Sequence, residues 1–411
     1  MAEYVIIGNG TAAIGCIEGI RSIDGESSIT VISGEKHHVY SRPLISYLLE
    51  GRTDTEKMKY RPADFYEKNG VKLVFGKAVK CDPKKQTVTL DSKEKLHYDK
   101  LCLCTGSSPF VPKFEGLEKV KDKFSFMTLD DALALDKVLD KKSRVLIVGA
   151  GLIGLKCAEG IAERVGSITV CDLADRVLSS ILDSECAAVM QKKLESHGIC
   201  FMLGDTAVRF DKDKAYMKSG AEVGFDILVL AVGVRAETEL AVQAGCEVNR
   251  GIIINTKMQT SKADIYAAGD CAEGFDSSIG ANRVLAILPN AYMQGRCAGI
   301  NMAGGSSVFD NAVPMNSIGF FGLHCATAGS YPEDAEVYEE KYPDGIKRLY
   351  IKGGRLYGYM LIGSVNRAGI YTSLVREQTV LDEENINKMK KIPTLSVFSS
   401  ETRRKKLGGV V

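Results

Sequence analysis

The segment Tyr4-Val-Ile-Ile-Gly8-Asn-Gly10-Thr-Ala-Ala13 returns as Val145-Leu-Ile-Val-Gly149-Ala-Gly151-Leu-Ile-Gly154. No other feature constrains the fold as much. In each copy a β-branched apolar run stops at a glycine, a second glycine follows one residue later, and a helix of small residues begins (14–20 and 155–162). A further apolar run comes next, Ile29-Thr-Val-Ile in the first copy and Ile168-Thr-Val-Cys in the second. Strand, glycine turn, helix, strand is the parallel βαβ unit. A chain holding two such units, with further short apolar runs after each, is predicted to be an α/β protein.

The runs 71–75, 87–90 and 100–104, with turns such as Asp82-Pro83 between them, complete the first unit. The segment 107–116, carrying Pro109, Pro112 and Gly116, reads as the crossing into a second domain. The strand-like run 263–270 is expected to return to the first. From about Met315 the pattern changes to alternating strands (347–351, 355–362) followed by a helix over 368–380, a third, α+β arrangement. The expected fold is two Rossmann-like parallel three-layer nucleotide-binding domains, the second inserted in the first, plus a small C-terminal α+β domain. Residues 1–113 and 247–314 form the first domain, 114–246 the second and 315–385 the third. Residues 386–411 are expected to be a tail, its last part, 401–411, basic and poorly ordered.

A single glycine-rich turn is weak evidence, but two copies placed between a buried strand and a helix point to dinucleotides. The first glycine allows the tight turn, the second admits a pyrophosphate to the backbone, and the third small residue lets helix pack on strand. The helix then presents free N–H groups to the phosphates. The expected contacts are Gly8, Asn9, Gly10, Thr11, Ala12 and Ala13 in one site, and Gly149, Ala150, Gly151, Leu152, Ile153 and Gly154 in the other. About 20 residues on, a carboxylate bonds the ribose hydroxyls of NAD and repels a 2′-phosphate. In the second copy this is Asp172, which favours NADH over NADPH. In the first copy the position is Ser33, with Glu35 two residues later, and either can meet the ribose.

The balance of 53 Lys+Arg against 52 Asp+Glu gives no bulk attraction to nucleic acid or an anionic membrane. No window approaches the ~20 apolar residues of a membrane span, and no leader is evident, so a cytoplasmic location is expected. The 12 cysteines are scattered without metal-ligand spacing, so no metal is expected; Cys102 and Cys104 alternate on one face of a buried strand. Neither the histidines nor the thiols form a catalytic constellation.

Further motifs stand in order along the chain: Tyr98-Asp-Lys-Leu-Cys-Leu-Cys-Thr105-Gly106, Asp226-Ile-Leu-Val-Leu-Ala-Val-Gly233, Ala268-Gly269-Asp270 and Leu288-Pro289-Asn-Ala-Tyr-Met-Gln-Gly295. With the two glycine turns they resemble the FAD-dependent pyridine nucleotide oxidoreductases of the glutathione reductase superfamily. Within it the chain is most similar to NADH:rubredoxin reductases and the flavin domain of nitrite reductases, over about residues 3–385. The run Arg367-Ala-Gly-Ile-Tyr-Thr-Ser-Leu resembles their small third domain. The resemblance implies FAD on the first turn and NAD(H) on the second. It adds Val79, Thr105, Gly106, Gly233, Leu288 and Pro289 as cofactor contacts, and Asp270 on the ribitol. Arg42 and Pro43 are placed near pyrophosphate and flavin, where a guanidinium can neutralise a phosphate.

Two departures matter. Thiol-dependent members carry one or two cysteines after the first unit's loop, and aligning Tyr40-Ser-Arg-Pro-Leu with that loop puts Arg42 where the cysteine would stand. Lys156 occupies a position where many relatives have a glutamate near the nicotinamide. Without a thiol, electrons are expected to leave from the flavin itself, with no catalytic side chain. The implied partners are NADH and a redox acceptor: rubredoxin, a ferredoxin-like protein, or an iron–sulfur or tungsten/molybdenum partner subunit. A non-enzymatic NADH-sensing flavoprotein is the remaining alternative. The cluster Lys57, Lys59 and Arg61 and the tail residues Arg403, Arg404, Lys405 and Lys406 suggest where an acidic acceptor would dock.

Overall fold

The structure, a computed structural model, describes residues 1–407, with side chains to 404. The glycine-turn strands Glu3–Ile7 and Arg144–Val148 each expose their first residue and bury the next four. A parallel strand covered on both faces needs apolar side chains on both, so these runs read as continuous rather than alternating. Ile265–Ala267, Lys100–Leu103, Glu3–Ile7, Ser28–Ser33 and Val71–Phe75 lie side by side in that order, all parallel. The second sheet has the order Ile199–Leu203, Ser167–Asp172, Arg144–Val148, Ile227–Leu230 and Lys123–Phe124, again all parallel. Each glycine-turn strand is central in its sheet, so each turn opens at a strand's carboxyl end.

Ser107–Pro109 pairs antiparallel with Val234–Ala236, so the outgoing and returning chains cross between the domains as one two-stranded ribbon. The return falls earlier than residue 247. The helix Glu239–Gln243 already packs into the first core through Leu240 and Ala241, followed by Ala244 and Cys246. A helix this short has no period to read, which is why the sequence points instead to the next apolar run.

In the first domain the helices Thr11–Arg21 and Leu288–Met302 meet backbone to backbone. A Cβ at Gly295 would strike the Ala12 carbonyl, and one at Gly299 the Cys16 carbonyl. This close approach brings the start of the second helix beside the first glycine turn.

The third domain is an antiparallel sheet in the order Met315–Phe320, Leu323–Gly329, Arg355–Ile362, Gly345–Lys352, Glu336–Tyr342. One face packs on the helix Ala368–Glu377 through Leu349, Tyr359 and Leu361. The other meets the second domain through Phe320, Ile346 and Met360. Arg348 joins the two domains as well, ion-paired with Asp183 and Glu185.

This domain does not end at 385. The helix Glu383–Lys391 folds back on the sheet, with Tyr371 donating to the Met389 carbonyl at 2.9 Å and Lys347 to that of Lys391 at 3.0 Å. Val397 and Phe398 are buried in the same core. Its few apolar residues are diluted in lysines, so composition reads as tail where packing makes a domain. Ser400–Leu407 is helical, and the side chains of Lys405 and Lys406 lie outside the described residues.

Candidate functional site

The two turns are built alike. Gly8 and Gly149 hold φ of 107° and 118°, a region open to glycine. A Cβ on either would strike a carbonyl of the neighbouring strand's end, Cys104 or Ala231. Their amides donate to Ile32 and Cys171 carbonyls, both at 2.8 Å. Gly10 and Gly151 cap the helices that follow, with no atom within 4 Å of where a Cβ would be. Neither helix has an acidic residue in its first turn. Each therefore offers unscreened N–H groups and a positive dipole end to an anion.

A cleft enclosing about 1060 Å³, its open mouth included, runs over the first turn. Gly8, Asn9, Gly10, Thr11 and Ala12 form its floor. Ser33 and Glu35 line one side, Thr105, Gly106 and Asp270 another, and Leu288 reaches it from the start of the close-packed helix. Beyond Gly8 and Thr105 a second hollow continues past Gly76, Lys77 and Ala78 to Glu237 and Glu239. A groove over a helix N-terminus, lined by the carboxylates of Glu35 and Asp270, fits a dinucleotide such as FAD. Asp270 would meet its ribitol and the turn its pyrophosphate.

Several expected contacts lie elsewhere. Ala13 is fully buried under the turn, a packing position. Pro43 and Pro289 sit exposed in the first turns of their helices. The Val79 side chain faces solvent and its carbonyl accepts from Gln243 at 3.3 Å. Of the two ribose candidates, the Ser33 hydroxyl is spent on the Glu35 carbonyl at 2.6 Å.

Arg42 reaches the cleft wall already paired with Glu35, and donates to the Met127 carbonyl at 2.9 Å. Tyr40 completes the arrangement, donating to Glu35 at 2.6 Å and accepting from the Leu129 amide at 2.8 Å. Its role was not legible, because one of its two partners, the Leu129 amide, opens a helix far along the chain. Burial pushes the Asp270 carboxyl up, against the pull of the nearby Arg42 charge. Asn9 is held by Tyr66 at 2.6 Å, and the Gly269 amide by the buried Gln294 at 2.8 Å, two supports that sequence reasoning missed.

In the second turn Asp172 accepts from the amides of Ala150 at 2.6 Å and Ala174 at 2.8 Å, so it braces the turn that it was expected to serve. Each carboxylate oxygen retains a lone pair for a ribose hydroxyl. Gly233 holds φ of 118° and its carbonyl anchors Phe110 of the crossing ribbon at 2.9 Å.

Eleven of the twelve cysteines are buried and Cys200 is exposed. Cys102 and Cys104 do share a face, with sulfurs 3.6 Å apart. Cys104 alone borders the cleft, and its hydrogen bond to Cys102 and its burial hold it neutral. Among the described residues no group of His, Cys, Asp and Glu can hold a metal, and no helix is long and apolar enough to cross a membrane.

The basic loop is not the free patch its sequence suggests. Lys57 pairs with Asp54 at 3.1 Å, Lys59 with Glu56 at 2.5 Å and Arg61 with Glu18 at 2.7 Å. Asp54 and Glu56 belong to the same loop, three residues before the lysines they meet, whereas Glu18 comes from the helix after the first glycine turn.

The chain is 31% identical to the epsilon subunit of NADH-dependent phenylglyoxylate dehydrogenase of Aromatoleum evansii, over 92% of each chain. It is also 31% identical to the assimilatory nitrate reductase electron transfer subunit of Bacillus subtilis, over 92% of this chain but 50% of that one, so it spans about half of that relative. Its fold matches putidaredoxin reductase, solved in covalent complex with putidaredoxin, with a TM-score of 0.86 at 23% identity, covering 95% of this chain and 98% of that one. The pyridine nucleotide-disulphide oxidoreductase family matches residues 2–295. Two glycine turns of one design, a groove shaped for FAD and this match across both nucleotide-binding domains agree: the chain belongs to that family of flavin-dependent nicotinamide nucleotide oxidoreductases.

Proposed function

We propose that this NADH-dependent flavoprotein oxidoreductase passes its electrons to a small redox protein such as rubredoxin. Arg42 carries the reading: a guanidinium paired with Glu35 occupies the position that the family resemblance assigns to the cysteine of thiol-dependent members. The neutral Cys104 beneath the cleft offers no thiolate to replace it. Bound FAD supplies hydride acceptance and single-electron release. The chain's own residues bind and align. Amides at Gly10 and Thr11 would hold the FAD pyrophosphate, Asp270 the ribitol, amides at Gly151 and Leu152 the NADH pyrophosphate, and Asp172 its ribose. Orientation of this kind supplies much of the rate in hydride transfer.

The test is anaerobic rapid mixing of the FAD-loaded protein with NADH and then with rubredoxin. Fast bleaching of the flavin band followed by reduction of rubredoxin is expected. A flavin that bleaches but that rubredoxin does not reoxidise sinks this acceptor; one that scarcely bleaches sinks the enzyme reading in favour of a sensor. A second reading, membership of a larger complex, is favoured by the two relatives named as subunits. Co-purification of an iron–sulfur, tungsten or molybdenum protein that the NADH-reduced chain reduces would select it.

A further inference from the structure

Three domains meet at one side chain, Lys156. It lies on the second-domain helix Leu152–Ile161, which starts at the second glycine turn. Its ammonium is ion-paired with Glu159 one turn on, and the two side chains are only 15% and 7% exposed. The same ammonium lies 3.3 Å from the Gly319 carbonyl and 5.5 Å from the Phe320 ring, both of the third domain. It also sits 4.7 Å over the ring of Tyr47, on the first-domain helix Ile45–Leu49 that follows Arg42.

Glu159 extends the junction by accepting from the Phe321 amide at 2.6 Å. Phe321 is the tip of the hairpin joining Met315–Phe320 to Leu323–Gly329, and holds φ of 48°, an uncommon conformation for a bulky residue. Such a conformation persists only where surrounding contacts over-determine it. The contacts present are the Glu159 acceptor and the His197 ring stacked on Phe321, centroids 4.0 Å apart. Arg52, 4.5 Å over Tyr47, Glu50, which pairs with Arg52, and His324 beside Gly319 also border the cluster.

We propose that Lys156 is a positioning residue. By holding Glu159, the third-domain hairpin and Tyr47 together, it fixes the second-domain helix against the first domain and so sets the approach of the nicotinamide to the flavin. The third domain thereby takes part in hydride transfer without touching either nucleotide. The role rests on the NADH-oxidising function proposed above. It follows from the number of partners that one ammonium satisfies: a carboxylate, a carbonyl and two ring faces drawn from three domains.

The test compares Lys156→Gln and Lys156→Arg with the unmutated FAD-loaded protein in two measurements. Hydrogen–deuterium exchange over residues 315–329 reads the hairpin directly. Anaerobic single-turnover reduction by NADH separates the limiting rate from the dissociation constant. The Gln variant is expected to speed exchange at the hairpin tip and to lower the limiting rate about 10- to 100-fold, the scale of a small misplacement. The NADH dissociation constant should change little, because the backbone of the glycine turn and Asp172, neither of which Lys156 contacts, hold the pyrophosphate and ribose of the nucleotide. The Arg variant should recover both properties.

Unchanged exchange with a raised dissociation constant would make Lys156 a nucleotide ligand and overturn the proposal. Faster exchange with an unchanged rate would leave a junction that positions nothing, and would overturn it too. So would no change in either, or an Arg variant as impaired as the Gln. If NADH fails to reduce even the unmutated protein, the functional reading fails separately, and with it the positioning role; the exchange data still decide the junction.

Discussion

Arg42 and Glu35 form an ion pair at the wall of the flavin cleft, with Tyr40 bonded to the same carboxylate. The guanidinium is therefore oriented before any phosphate arrives, and its charge is partly offset. Removing it leaves the Glu35 carboxylate, still bonded to Tyr40 but without its counter-charge, lining the cleft that would hold the dianionic FAD. Arg42→Ala is expected to weaken FAD binding by roughly 1–2 kcal/mol, between the values for exposed and buried pairs because both side chains are part-exposed. Titration of the FAD-free protein with FAD checks this. The double variant Arg42→Ala/Glu35→Gln should recover part of the loss, since the stranded carboxylate goes with it.

Asp172 has two tasks that can be separated. Its charge opposes a 2′-phosphate, while its oxygens hold the amides of Ala150 and Ala174. Asp172→Asn keeps an acceptor for one amide but removes the charge. It should shift the NADH/NADPH ratio of kcat/KM toward NADPH by about 1–2 kcal/mol, roughly 5- to 30-fold. Asp172→Ala should relax the preference as well and lower kcat/KM for both nucleotides, because the turn loses its brace. Equal use of NADH and NADPH by the unmutated protein would contradict the reading of this carboxylate.

Burial raises the pKa of Asp270. A carboxyl whose folded pKa exceeds its unfolded value favours the folded state most at low pH, where it is protonated in both. That contribution is lost as pH rises through the raised value. At neutral pH the charged Asp270 thus lowers the stability of the FAD-free protein. Asp270→Asn should raise its melting temperature at pH 7 by a few degrees, with the difference vanishing below the ordinary aspartate range, while weakening FAD retention. A variant that melts no higher at pH 7 would show that Arg42 and Ser107 already compensate the buried charge.

The legible parts of this molecule are those whose geometry is local. Gly8 and Gly149 announce themselves because strand, turn and helix lie within a dozen or so residues, and Asp172 because the next strand fixes its place. What stayed hidden depends on which side chains meet once the chain has folded. Glu35 read as a candidate ribose contact, but Arg42 and Tyr40 both engage its carboxylate. Lys57, Lys59 and Arg61 looked like a patch until Asp54, Glu56 and Glu18 met them. Lys156 read only as a departure from a pattern, since Tyr47 and Gly319 lie in other domains. Residues 386–398 read as tail because their buried apolar side chains, Met389, Val397 and Phe398, carry no visible period.

That last correction separates two truncations which the sequence alone would treat as one. Ending the chain after Ser400 removes Arg403 and Arg404 but keeps Val397 and Phe398 in the core. Ending it after Pro393 removes both buried side chains, each worth about 1.5–3 kcal/mol on full burial. The shorter chain should therefore melt lower and expose the sheet face beneath, whereas the longer one should keep its melting temperature and its NADH-to-dye activity. With the loop cations already paired, the tail is the remaining basic cluster of the original two. Truncation after Ser400 should accordingly flatten the salt dependence of rubredoxin reduction, while neutralising Lys57, Lys59 and Arg61 together with their acidic partners should leave it unaltered. Rates measured across a salt series decide between them. A salt dependence that survives the truncation places the acceptor on another face, and one that follows the loop would mean that its ion pairs open when the partner arrives.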